Sequence, residues 1–133
     1  MSQFPDEAHL SSWAGVCPGN NESAGKKKSA KTQKGNSFLK GALTEAAWAA
    51  SKTKDTSYNA IYQNIVRRRG KKRALVALAH RMLIDIYYVL KTGEPYQDIG
   101  AKAVHERTLK RRERSMIRSL EKAGYSVEKA ATA

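Results

Sequence analysis

The sequence predicts an all-α fold of about five helices, with a long basic loop between the first and second. Three observations carry this. Apolar residues recur at helical spacing in successive segments, Gly and Pro clusters separate those segments, and no segment alternates apolar and polar residues as a half-buried strand would.

The first helix is expected from Pro5, with Asp6 and Glu7 in its first turn, where acidic side chains suit the positive end of the helix dipole. Leu10, Trp13 and Ala14 form its apolar stripe, and Gly15 with Pro18-Gly19 ends it. Residues 17 to 36 read as a loop carrying Gly19, Gly25, Gly35, two adjacent asparagines and a run of lysines. A loop of this length in a small domain is usually functional or disordered. Asn36 or Ser37 caps the second helix, whose expected inner face is Leu39, Ala42, Leu43, Ala46, Ala47 and Ala50.

Lys52 to Ser57 break the pattern before a third helix with Tyr58, Ile61, Tyr62, Ile65 and Val66 inward. The basic run Arg67 to Arg73 separates it from the fourth, expected to be the central helix. Leu75, Leu78, Ala79, Met82, Leu83, Ile86 and Leu90 share one face of that helix, and Gly93 and Pro95 stop it. A highly charged last helix spans about Gly100 to Ala123, with a narrow seam of Val104, Leu109, Met116, Ile117 and Leu120. The helical domain is thus expected over residues 1–126, with 127–133 as a frayed tail.

Composition narrows the partners. Of 133 residues, 25 are Lys or Arg and 12 are Asp or Glu, a formal charge of +13. Such an excess repels itself in a compact state unless a polyanion neutralises it. Nucleic acid is therefore the expected partner, held mainly through its phosphates. A membrane partner is not expected: the most apolar run, Ala74 to Leu90, is interrupted by His80, Arg81 and Asp85. The N-terminus shows no secretory signal, and the single cysteine, Cys17, excludes an internal disulfide. Both fit a cytoplasmic protein.

The candidate chemistry centres on Ser23. A serine hydroxyl is a weak nucleophile until a base, a metal or fixed positive charge assists it. Lys26, Lys27, Lys28 and Lys31 follow closely and could hold a phosphate there. On spacing alone, a serine in a polar glycine turn is far more often plain turn chemistry. A phosphate-loop reading of GNNESAGKKKS fails. Gly19 and Gly25 are one residue too far apart, Lys27 stands where Ser or Thr is needed, and no strand precedes the loop.

A second cationic cluster comprises Arg67, Arg68, Arg69, Lys71, Lys72 and Arg73. A third surrounds Arg107, Lys110, Arg111, Arg112 and Arg114. His9, His80 and His105 are far apart, and no carboxylate cluster suggests a metal site. Arg81 and Asp85 read as an intrahelical ion pair. Trp13, Trp48 and the tyrosines could stack on bases, although core packing is the simpler expectation.

The segments SWAGVCPGNNESAGK (12–26), KGN (34–36), ALTEAAWAA (42–50), KKRALVALAH (71–80) and GEPYQDIG (93–100) carry a resemblance. Together they resemble the C-terminal domain of the insertion-sequence transposases of the 116/110/902 group. That resemblance implies DNA recombination by a two-part site. An N-terminal acidic domain of ribonuclease-H type supplies metal-binding acids, and the C-terminal domain supplies a serine that joins covalently to the DNA phosphate.

By motif position the implied nucleophile is Ser23, with Gly25 and Lys26 shaping its turn and Lys34 with Asn36 completing the motif. The implied partners are DNA, a structured guide RNA in some members, and the acidic domain or an intact transposase, with oligomers expected only of the full-length enzyme. No cofactor is implied for this chain itself; Mg2+ enters only with the acidic domain. The chain is accordingly expected to be a truncated transposase that binds DNA but does not cut it alone. The alternative is a non-catalytic nucleic-acid-binding remnant or modulator.

Overall fold

The computed structural model describes residues 1–19, 21–29 and 31–131, with the backbone alone at Asn21, Glu22, Lys27 and Lys28. Among these residues the elements run α1 (Glu7–Ala14), β1 (Asn21–Ser23), β2 (Lys26–Ser29), α2 (Ser37–Lys52), α3 (Ser57–Arg69), α4 (Lys71–Thr92) and α5 (Gly100–Lys122). The fold is all-α in class, with five helices, and the strands form one small hairpin inside the long basic loop. The tail expected at 127–133 includes Thr132 and Ala133, which lie outside the described residues.

Helix ends follow their capping chemistry. Asp6 caps α1, its carboxylate accepting the His9 N–H at 2.9 Å, and Gly15 closes the helix in the left-handed conformation (φ 74°). Asn36 caps α2 by accepting the Leu39 N–H at 3.0 Å, Thr56 caps α3, and Gly93 ends α4 at φ 74°. Each cap satisfies a backbone group that the helix itself leaves unpaired.

α4 is the central helix, packed against α1, α2 and α3. Its buried residues are Ala74, Leu78, Ala79, Leu83 and Tyr87; they meet Leu10, Ala14 and Val16 from the N-terminal segment and Leu43, Ala47 and Tyr62 from α2 and α3. A leucine such as Leu78, wholly buried here, contributes about 1.5–3 kcal/mol relative to exposure. The expected seam of α4 needs correction at its C-terminal end. Ile86 and Leu90 are exposed, and Tyr87 is buried in their place. The Tyr87 hydroxyl donates to the Phe4 and Pro5 carbonyls at 3.2 and 3.1 Å, which lets a polar-tipped ring face inward.

Other expected faces shift likewise. In α2, Leu43, Ala47 and Ser51 are buried, while Ala42 and Ala46 lie in solvent. Trp13 and Trp48 are each about half exposed rather than core residues. Trp13 packs on Phe4, and Lys52 lies 4.2 Å over the Trp48 ring. α5 buries only Val104 of its expected seam; Leu109, Met116 and Leu120 are exposed because, among the described elements, the helix packs on α3 alone.

The start of α5 is fixed by polar bonds. The Asp98 carboxylate accepts the Ser57 N–H through both oxygens, at 3.1 and 3.2 Å, and also the Gly100 N–H. The Ala101 N–H donates to the Asp55 carbonyl, and Asn64 bonds Thr108 across the α3–α5 seam.

Candidate functional site

The loop expected to be structureless is built from its base upward. Ala14 and Gly15 end α1 against the backbone of Gly35. The Asn36 N–H donates to the Trp13 carbonyl at 3.2 Å, closing both ends of the loop together. Pro18 bridges Thr32, and the Gly19 N–H donates to the Lys31 carbonyl at 3.1 Å. Lys40 Nζ donates to Thr32 Oγ1, tying the returning segment to α2.

Above that base, β1 and β2 pair antiparallel, with Glu22 opposite Lys27, Ser23 opposite Lys26, and an irregularity between Asn21 and Glu22. The tip is the two-residue turn Ala24-Gly25, with φ of 50° and 75°. Positive φ at both central positions is the pattern of a type I′ turn, whose twist matches paired strands.

This geometry places Ser23 in a definite setting. It is the last residue of β1, exposed, and directly opposite exposed Lys26. Directly opposed residues project to the same side of the ladder, their Cβ atoms about 4.5–5.5 Å apart. Among the described side chains, Lys26 is the ammonium set opposite the Ser23 hydroxyl. Among the described residues the hairpin strands contact each other and no helix, which places Ser23 at the tip of a projecting arm.

The remaining candidate residues divide. Lys31 and Lys34 are exposed on the segment that leads from β2 to α2. The side chains of Lys27 and Lys28 lie outside the described residues. Asn36 is committed as the α2 cap, so its visible work is to set where α2 starts beneath the arm. Arg67, Arg68 and Arg69 form the exposed last turn of α3, where cations suit the negative end of the helix dipole. Lys71, Lys72 and Arg73 are likewise exposed but occupy the first turn of α4, which has no side-chain cap and whose dipole disfavours cations. No described contact joins the hairpin to this α3–α4 junction.

Two features escaped the sequence reading. Cys17 Sγ lies 3.8 Å from His80 Nε2, between the loop and α4. Burial pushes the thiol up from its ordinary range; burial and the neighbouring Arg81 push the imidazole down, so the pair favours its neutral forms. No periodicity signals a contact across 63 positions. The second is a cleft between α3 and α5, which gathers arginines from both helices.

Among the described residues, no group of three or more His, Cys, Asp or Glu could hold a metal ion. No described helix is long and apolar enough to cross a membrane. Arg81 and Asp85 form the expected ion pair, at 3.2 Å.

Fold and site together define a basic helical domain bearing a serine on a projecting, lysine-flanked arm. Residues 1–63 match the family model described as the Transposase IS116/IS110/IS902 family. The matched stretch takes in α1, the hairpin, α2 and the first half of α3, a little under half of the chain. The resemblance drawn from the sequence therefore holds for this segment, which is consistent with a piece of a transposase of that group and supports a role in transposition. No curated protein and no solved structure matches the chain.

Proposed function

We propose that this chain is the serine-bearing part of a DNA transposase, and that Ser23 is its nucleophile. The observation that carries the proposal is the hairpin itself. An isolated two-stranded hairpin is marginal in water, and among the described residues these strands pack on no helix, so a fold that builds one to hold up a serine and a lysine suggests a partner at its tip. In the proposed step, Ser23 Oγ attacks the phosphorus of a DNA phosphodiester. An Oγ–P bond forms and the P–O bond to one deoxyribose breaks. The departing oxygen takes up a proton, and the serine proton passes to water. Lys26 on the same side of the ladder, with Lys31 and Lys34 behind it, offsets the negative charge gathering on the phosphate oxygens.

The described residues do not fit a magnesium ion, so the part proposed for this chain is the nucleophile's. The acids that would hold magnesium belong to an acidic domain outside this sequence. On this reading the chain alone binds DNA, in the cytoplasm, without cutting it. The absence of a metal-ligand set among the described residues also favours a second reading, a non-catalytic DNA-binding remnant or modulator of an intact transposase. A guide RNA is a further possible partner by resemblance alone.

Duplex binding by the purified chain, followed across salt concentrations, tests the binding half of the proposal. Each neutralised phosphate contributes about 0.9 to the slope of log K against log salt, so a steep negative slope is expected and a flat one would overturn phosphate-dominated binding. Incubation with supercoiled DNA and magnesium tests the other half. Intact supercoils are expected. Nicks that disappear on Ser23→Ala would show that the chain is competent alone.

A further inference from the structure

The cleft between α3 and α5 has a chemistry of its own. It measures about 850 Å³, and α5 lies wholly outside residues 1–63. Within its lining, Val104 is buried and Asn64 Nδ2 donates to Thr108 Oγ1 at 3.2 Å. Beyond that bond the facing positions are Arg68 on α3 and Arg107, Arg111 and Arg112 on α5, all exposed. The lining has one carboxylate, Asp85, which is engaged by Arg81 at 3.2 Å and accepts the Tyr58 hydroxyl at 2.9 Å. None of the other four guanidinium groups takes part in an ion pair among the described residues. Like charges thus face one another across a concave surface, an arrangement that an intervening anion would relieve.

The cleft also holds an aromatic platform. Tyr96 lines it, 42% exposed, and its ring stacks on Tyr58 with centroids 5.3 Å apart and planes 6° from parallel. Its hydroxyl is within 3.0 Å of Ser57 Oγ, which fixes the ring from the other end. A flat ring held in place before binding loses little freedom when a partner stacks on it. Guanidinium groups lining the same cleft as such a ring match alternating phosphates and unpaired bases. Duplex DNA offers the phosphates but keeps its base faces buried in its own stack.

We infer that the α3–α5 cleft binds single-stranded nucleic acid, with Arg68, Arg107, Arg111 and Arg112 holding phosphates and Tyr96 stacking on a base. The site is separate from the Ser23 arm and does not depend on Ser23 being a nucleophile.

The test is fluorescence anisotropy with the full chain, using labelled oligo(dT), labelled oligo(U) and a duplex of equal length. Tyr96→Leu is expected to weaken binding to the single strands about tenfold or more while leaving the duplex nearly unchanged. Arg111→Gln with Arg112→Gln removes two exposed charges that make no described contact within the fold, and is expected to lower the single-strand salt slope by about 1.4. Circular dichroism reports whether each variant keeps its helices; if Tyr96→Leu loses them, the arginine pair carries the test. Preference for oligo(dT) or for oligo(U) identifies the strand as DNA or RNA. Unchanged single-strand affinity in folded variants would overturn the inference. So would tighter binding of the duplex, or loss of single-strand binding from Lys26→Gln with Lys31→Gln alone.

Discussion

Gly15 and Gly35 meet backbone to backbone at the root of the hairpin arm. A Cβ added to Gly15 would lie 2.8 Å from the Gly35 nitrogen, and one added to Gly35 would collide with the Gly15 backbone. Gly15 also sits at φ 74°, where a side chain is strained whatever the space. Between them these glycines bring the end of α1 and the start of α2 close enough to close the loop that carries Ser23. Gly35→Ala is therefore expected to destabilise the protein by more than about 1 kcal/mol in urea unfolding, because backbone must move to admit a methyl group. Gly41 offers the contrast. It lies inside α2 with nothing within 4 Å of an added Cβ, so Gly41→Ala should stabilise by about 0.5–1 kcal/mol. Equal effects from the two substitutions would show that the close approach has no energetic weight.

Ala24 holds a left-handed φ of 50° beside Ser23, a conformation that disfavours a residue with a Cβ by about 1–2 kcal/mol. Asn tolerates it, and Asn-Gly is a favoured pair for a type I′ turn. Ala24→Asn should therefore strengthen the hairpin by about 1 kcal/mol. Slower amide exchange over residues 21–29 would report this; faster exchange would rule out the type I′ turn.

The Asp98 carboxylate holds the first turn of α3 to the start of α5. Hydrogen bonds from Ser57, and from the Gly100 N–H, hold its pKa below the ordinary carboxylate value of 3.8. A depressed folded-state pKa means that the carboxylate's contribution is fully present above the unfolded value. It is lost as pH falls through the lower, folded value. Asp98→Asn keeps the shape without the charge. It should cost about 1 kcal/mol near neutral pH, a modest figure for a charged acceptor because the group is solvated. Unfolding free energies measured from pH 6 downward should converge for the two proteins below about pH 4. Parallel curves would remove Asp98 as the titrating group.

What the sequence made legible follows from which signals are local. Caps are local, and Asn36 and Gly93 announced the helix ends they make. The hairpin is local too, yet silent. Its turn is Ala-Gly rather than Asn-Gly, and a strand of KKKS has no apolar face to alternate. Which residues of the last turns of α4 face inward was not decidable, since Ile86, Tyr87 and Leu90 are all apolar enough. The Phe4 and Pro5 carbonyls, far off in sequence, draw Tyr87 inward. Ser23 and its lysines stood out as a cluster, but their presentation on a free arm depends on Gly15 meeting Gly35. The arginines of α5 were visible as charge, while the cleft that aligns them with Arg68 and Tyr96 exists only once α5 lies on α3.

The central claim is that Ser23 is the group that bonds to DNA. The most direct test supplies the acidic domain of an intact transposase of the IS116/IS110/IS902 family in trans, with magnesium and labelled DNA, and resolves the products on a denaturing gel. A detergent-resistant protein–DNA adduct is expected with the unmodified chain. It should persist in Ser29→Ala, which removes a neighbouring exposed hydroxyl from the same arm, and be absent in Ser23→Ala. An adduct that survives Ser23→Ala would contradict the assignment.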